Sequence, residues 1–173
     1  MNITPALPAH ACALLAFERE NRAHFEQWVA TRGDAFYTLA NVVSSLEQAQ
    51  AAALADKEYH YLAWLDQEIV GRITLRAVAR EHYHKATLGY RFSRRHGGHG
   101  YATQAVRAVI RTAFQELGLR RLEAVVILGN TASQAVMRKC GFGEFGHAHS
   151  AVEQNGRWMD ILYFELLADA APR

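Results

Sequence analysis

The chain has 173 residues, half of them apolar, enough for one well-buried core and short for two. Its 19 basic and 17 acidic residues give a formal charge of +2, so no overall field points to nucleic acid or a membrane surface, while a small anionic ligand stays compatible. No early apolar run approaches the roughly 18 residues of a membrane helix, and "MNITPALPAHACALLAFERE" lacks a basic segment followed by an apolar one, so a cytoplasmic protein is expected.

In chain order, residues 2 to 6 read as a short strand, and Pro8 suits a first helical turn. "HACALLAFERENRAHFEQWVA" carries apolar residues at helical spacing, with a break expected near Asn21; a second helical stretch runs from about 41 to 55. The period then changes. "YHYLAWL", "EIVGRITLRAV" and "KATLGYRF" are rich in β-branched and aromatic residues and read as consecutive hairpin strands, with a polar turn at Asp66, Gln67 and Glu68. A glycine-rich turn precedes a helix expected from about 99 to 117, apolar on the face of Ala102, Val106, Val109, Ile110, Ala113, Phe114 and Leu117 and ended by Gly118. "RRLEAVVI" follows as a strand, "TASQAVMRKC" as a short helix, and "FGEFGHAHSAV" and "RWMDILYFELL" as two strands joined at Asn155 and Gly156. The order is α-α-β-β-β-α-β-α-β-β, a mixed α/β fold with a mostly antiparallel central sheet flanked by helices. The three prolines, at 5, 8 and 172, lie near the ends and no linker or repeat divides the middle, so residues 1–173 read as a single domain.

The segment "RRHGGHGYATQAV", residues 94 to 106, poses the functional question. A glycine turn feeding a helix N-terminus aims backbone N–H groups into a concave space, and such a nest attracts phosphate. A Walker-type loop is excluded because Gly100 is followed by Tyr101 and Ala102 rather than Lys-Ser/Thr. A dinucleotide fingerprint is excluded because Gly98-His99-Gly100 is followed by Tyr101, Ala102 and Thr103, after three antiparallel strands. Standing alone, Gly97 and Gly98 also fit a plain surface turn.

The segment resembles the acyl-CoA loop of the GNAT acetyltransferase superfamily, Gln/Arg-x-x-Gly-x-Gly/Ala, with Arg95, Gly98 and Gly100 in the fixed places. "NTASQAVMRKCGF", residues 130 to 142, resembles the family's later element, in which an Asn opens a short helix and a Gly-Phe pair starts the next strand. "FERENRAHFEQWVATRGDAFYT" resembles the branch that acetylates ribosomal-protein N-termini. The resemblance implies a GNAT fold with a V-shaped splay between the fourth and fifth strands, and acetyl-CoA as co-substrate. The implied contacts are Tyr90, Arg91 and Phe92 on the splayed strand; Arg94, Arg95, His96, Gly97, Gly98, His99, Gly100, Tyr101 and Ala102 in the loop; and Asn130 and Ser133 after the fifth strand.

The implied reaction is direct attack of an amine on the thioester in a ternary complex. The acceptor is a protein N-terminus, with a small-molecule amine (polyamine, amino acid or antibiotic) or a silent CoA-binding module as alternatives. Many relatives carry, seven residues after the Asn, a Tyr that protonates the thiolate; here that position is Met137, which has no proton to give. The ribosomal branch often has Ser three residues after the Asn, here Ser133, whose alternative role is capping the helix near Thr131. Glu123 is the candidate base, or else a solvated partner of Arg120 and Arg121.

His82 with His84, and His147 with His149, form two His-x-His pairs, but a metal needs a third ligand and none is expected. Phe17, Phe25, Trp28, Phe36 and Tyr37 are expected mainly in the core, some roofing the acceptor cleft as the resemblance implies; Glu20, Arg22 and Glu26 are possible readers of an incoming amine. Cys12 and Cys140 are expected as free buried thiols without a function. The last strand is a possible intersubunit edge, and the chain is expected as a monomer or homodimer.

Overall fold

Strands form where β-branched and aromatic residues alternate, and they arrive in the expected order. The computed structural model describes residues 1–170; Ala171, Pro172 and Arg173, including the last of the three prolines, lie outside the described residues. β1 (Asn2–Pro5), β2 (Tyr59–Leu65), β3 (Glu68–Ala79) and β4 (Lys85–Phe92) make one antiparallel run. β5 (Arg121–Ile127), β6 (Gly143–Gln154) and β7 (Arg157–Leu167) make a second, in which β7 lies between the other two. One sheet joins them in the order β1-β2-β3-β4-β5-β7-β6, and the junction of β4 with β5 is parallel. That junction is short: Lys85, Ala86 and Thr87 pair with Arg121, Leu122 and Glu123, and beyond them the strands part.

Four helices cover the sheet: α1 (Ala11–Phe25), α2 (Leu39–Leu54), α3 (Tyr101–Arg111) and α4 (Thr131–Lys139). Val106, Val109 and Ile110 of α3 and Met137 of α4 pack with Ile73, Leu75, Leu88 and Leu122 on one face. Leu14 and Phe17 of α1 pack with Val42, Leu46, Leu62 and Ile69 on the other. The register of β2 with β3 shifts between Ala63 and Trp64, leaving Val70 as the extra residue of β3, and strand alternation puts Ile69 and Val70 in different cores.

Several expectations change. Asn21 does not break α1; it is buried, its Nδ2 donates to the Phe17 carbonyl at 2.9 Å, and its Oδ1 accepts the Arg94 N–H at 3.1 Å. The third helix starts at Tyr101 and runs to Arg111, then widens into a π-helical turn over Thr112–Glu116 before Gly118, at φ 64°, ends it. β7 is interior, so the sheet edge on that side belongs to β6. Cys140 is buried as expected, but Cys12 is exposed because it sits on the outer face of α1. The Asn155–Gly156 hairpin has both residues at positive φ, 53° and 74°, the signature of a type I′ turn.

Gly71 fixes how β4 leaves the sheet. It pairs with Phe92, whose ring lies over it so closely that a Cβ would sit 2.4 Å from ring carbons. Gly71→Ala therefore displaces the Phe92 ring and lowers stability by about 1–3 kcal/mol, measured as a reduced urea midpoint; an unchanged midpoint contradicts this packing.

Candidate functional site

The gap begins where pairing between β4 and β5 stops. β3 satisfies one edge of β4 through Phe92, yet among the described residues no strand pairs with its other edge after Thr87. Backbone N–H and C=O groups there are available to a ligand that runs like a strand. At the closed end, the Arg120 N–H donates to the His84 carbonyl at 2.6 Å. Lys85 Nζ lies 3.0 Å from Glu123 Oε2 and Arg121 Nε 2.8 Å from Glu123 Oε1. Glu123 is thus an ion-paired bracket of the two strands. Burial acts to raise its carboxyl pKa, but the hydrogen bonds and charges of Lys85 and Arg121 outweigh burial and leave it lowered, the opposite of what a general base near neutral pH needs.

The glycine loop lies at the open end. Arg94–His96 form one 3-10 turn, tied to α1 through Asn21. Gly98 and Gly100 follow at φ 81° and 78°, in the left-handed region that L-residues disfavour, and Gly100 is the N-cap of α3. Among the described residues, the N–H groups from Gly98 to Thr103 have no protein acceptor. A Cβ built on Gly98 or Gly100 meets nothing within 4 Å, so the space above both is open. Free amides, an open approach and the α3 dipole fit a pyrophosphate. His99 stacks on Tyr101 at 5.7 Å between ring centroids, flooring the loop. Arg94 is exposed beside it, whereas Arg95 is turned away into ion pairs with Glu68 and, at 3.8 Å, Glu20.

Strand and helix meet across the gap through two hydroxyls. Tyr90 Oη and Ser133 Oγ are 2.8 Å apart, and Tyr90 Oη also donates to the Ser133 carbonyl at 3.2 Å. Burial drives the Tyr90 pKa well above the ordinary phenol range, with the Ser133 bond acting weakly the other way, so Tyr90 stays a neutral proton donor. Asn130 caps α4, its Oδ1 accepting the Ser133 N–H at 3.1 Å, which leaves the Ser133 hydroxyl for Tyr90. Met137 is fully buried in the core. Tyr90 was expected as a cofactor contact on the splayed strand, and its phenol's partner, 43 residues away, carries no local signal in the sequence.

Successive strand residues point to opposite faces. Tyr90 therefore reaches α4, and Arg91 reaches α1 on the other side of the sheet. There Glu18, wholly buried, lies 3.2 Å from Arg91 Nη1, 3.4 Å from Arg72 Nη1 and 3.6 Å from Arg32 Nη1. Sequence reasoning missed this group. The available signals were a carboxylate on the buried face of α1 with Leu14, Asn21 and Phe25, and an arginine inside the apolar run of β3. Glu20, Arg22 and Glu26, considered instead, are half-buried or exposed and paired with Arg95, Asp34 and Thr31.

A roof closes this side. Trp28 lies 3.7 Å from where a Gly129 Cβ would stand, and Gln154 Nε2 donates to the Glu26 and Val29 carbonyls at 2.7 and 2.9 Å. Phe17, Phe25 and Tyr37 are buried, and Phe36 and Trp28 half-buried. Of the histidine pairs, His82 and His84 fall in a turn at positive φ. His147 and His149 meet Asp160 on the exposed β6–β7 surface, where each lies 2.9 Å from the same carboxylate oxygen.

A family model described as an acetyltransferase (GNAT) domain matches residues 1–143. The chain is 36% identical over 148 residues to a probable N-acetyltransferase, YjcK, of Bacillus subtilis (strain 168), covering 84% of this chain and 82% of that one. It is 25% identical over 159 residues to the ribosomal protein uS5-alanine N-acetyltransferase of Escherichia coli (strain K12), covering 87% and 78%. Among solved structures, Mycobacterium smegmatis RimJ in complex with CoA-disulfide matches with a TM-score of 0.92 at 27% identity, over 99% of this chain and 83% of that one. The chain belongs to the GNAT acetyltransferase family, and it is an N-acetyltransferase of that family.

Gly98→Ala and Gly100→Ala add no protein clash, only a left-handed alanine costing about 1 kcal/mol. Each is expected to weaken calorimetric binding of coenzyme A well beyond its effect on thermal stability. Loss of stability with unchanged affinity contradicts the loop's role.

Proposed function

We propose that this GNAT acetyltransferase works as a single cytoplasmic domain that transfers acetyl from acetyl-CoA to a primary amine, the N-terminal α-amino group of a protein, ribosomal proteins included. The observation that carries the reading is the split between β4 and β5, opening directly beside the free amides of residues 98 to 103. Acetyl-CoA supplies an acyl group already activated as a thioester. The loop amides hold its pyrophosphate, and the unpaired edge of β4 from Leu88 to Phe92 holds its amide-bearing arm as a further strand would.

The Tyr90–Ser133 hydroxyl pair sits where the leaving sulfur would arrive. Tyr90, kept protonated by burial, gives the proton, and Ser133 holds the phenol in place and adds a second donor. In this chain the acid role thus moves from α4, where Met137 fills the core, to β4. No protein base is assigned, since Glu123 is committed to Lys85 and Arg121. An α-amine with a pKa of about 8 is partly neutral at physiological pH and attacks once it is positioned; the proton its nitrogen then sheds passes to water, from which Tyr90 regains the one it gave to the sulfur. The acceptor enters on the face of β4 that carries Arg91, beneath α1. Support for a protein acceptor comes from the similarity to the Escherichia coli enzyme named for acetylating an alanine of ribosomal protein uS5.

Tyr90→Phe is expected to lower kcat by roughly 10²-fold, and Ser133→Ala by less, while calorimetric affinity for coenzyme A holds. In thiol-release assays the wild-type rate rises with pH and levels off near the acceptor's own pKa, about 8 for an α-amine rather than about 10.4 for a lysine-type amine. Full activity in Tyr90→Phe contradicts the assigned acid. No thiol release with any amine, despite coenzyme A binding, contradicts the reaction itself.

A further inference from the structure

Glu18 is one negative charge facing three guanidiniums. Arg72 is 4% exposed, and the side chains of Arg91 and Arg32 keep only 21% and 24%. Arg72 Nη2 lies 2.8 Å from His60 Nδ1, and His60 Nε2 lies 2.9 Å from Glu58. With Arg72 donating to Nδ1, the imidazole is neutral with its proton on Nε2, and burial lowers its pKa further. The nearby carboxylates do not balance the site: Glu26 and Asp34 are held by Arg22. Even with Glu58 counted behind the neutral His60, the three guanidiniums outnumber the carboxylates of the cluster and leave a net positive charge in a largely desolvated space, a costly arrangement on its own.

Two observations show that the cluster is incomplete. Arg72 Nε is buried and has no hydrogen-bond partner among the described residues. The Arg32 guanidinium is pulled down to about 10, by burial first and then by the charge of Arg91, as expected for a cation short of counter-charge. The place matters too. Arg91 follows Tyr90 on β4, their Cα atoms about 3.8 Å apart, so its guanidinium stands on the acceptor side of the same gap. Phe36 under Arg32 at 4.3 Å and Phe25 beside Arg91 at 5.3 Å hold the guanidinium planes and leave their edges to a ligand.

We infer that Arg32 and Arg91, backed by Arg72 and oriented by Glu18, form an oxyanion pocket that selects acceptors carrying a carboxylate or phosphate close to the reacting amine. The inference rests on the amine-acetylation reading above and narrows it. The oxyanion comes either from an acidic residue next to a peptide's N-terminal residue or from the acid group of a small amine; both present the same planar or tetrahedral oxygens to a guanidinium fork. A polycationic amine is repelled by the same charges.

The test uses matched acceptors with the wild-type enzyme. One arm compares Ala-Glu, Ala-Gln and Ala-Lys peptide amides; the other compares free amino acids with their amides. Calorimetric titration in the presence of coenzyme A reads binding without turnover, and thiol release reads KM and kcat separately. In at least one arm the oxyanion-bearing acceptor is expected to have a Kd and KM about tenfold below its neutral counterpart, the scale of one charge-assisted hydrogen bond. Arg32→Gln erases that difference and Arg32→Lys restores part of it. Equal affinity in both arms, or a preference that survives Arg32→Gln, overturns the pocket. Acidic preference in calorimetry with no transfer to any acceptor would instead overturn acetyl transfer and leave the pocket standing.

Discussion

A strand that loses its neighbour leaves a row of backbone donors and acceptors that something must satisfy. β4 does so after Thr87, where its parallel pairing with β5 ends while both strands continue. The surrounding structure holds this parting in place. Lys85, Glu123 and Arg121 lock the strands at one end, with Arg121 reaching on to Glu165 of β7. At the other end, Asn21 ties the loop after β4 to α1, and the Asn130 cap starts α4 close to the end of β5. The gap is a fixed feature with a braced base and two anchored lips.

Strand geometry then divides the chemistry between the two faces. Tyr90 on one side meets Ser133 of α4; Arg91 on the other meets Glu18 of α1, beside Phe25. Arg91 pairs in register with Arg72, and two like charges directly opposite are unfavourable. Glu18 offsets part of that repulsion and sets the orientation of both forks. The Tyr90 phenol is kept neutral by burial, while the cations are kept concentrated by a shortage of partners. Free loop amides at the open end of the gap and surplus positive charge beneath α1 suit the proposed reaction, which brings together two separately bound ligands.

Much of the fold was legible in the sequence, because hairpin strands and their turns are written locally. "KATLGYRF" and "RWMDILYFELL" match β4 and β7 to the residue, and Asn155–Gly156 marks its turn. The glycine loop was legible for the same reason: positive φ at Gly98 and Gly100 is a local demand. What failed was non-local. Asn21 resembles a helix breaker until its side chain is seen joining Phe17 to Arg94. Arg95 resembles a phosphate ligand until Glu68 and Glu20 appear beside it. Glu18 meets Arg72 and Arg91 across separations of 54 and 73 residues, and no spacing rule within one element reveals such a triad.

Hydrogen–deuterium exchange with and without coenzyme A tests the parted strands most directly. Slower exchange is expected at two places together, the β4 edge from Leu88 to Phe92 and the amides from Gly98 to Thr103, with the outer strand β6 unchanged. Protection of neither segment at saturating coenzyme A, or protection confined to β6, would contradict it.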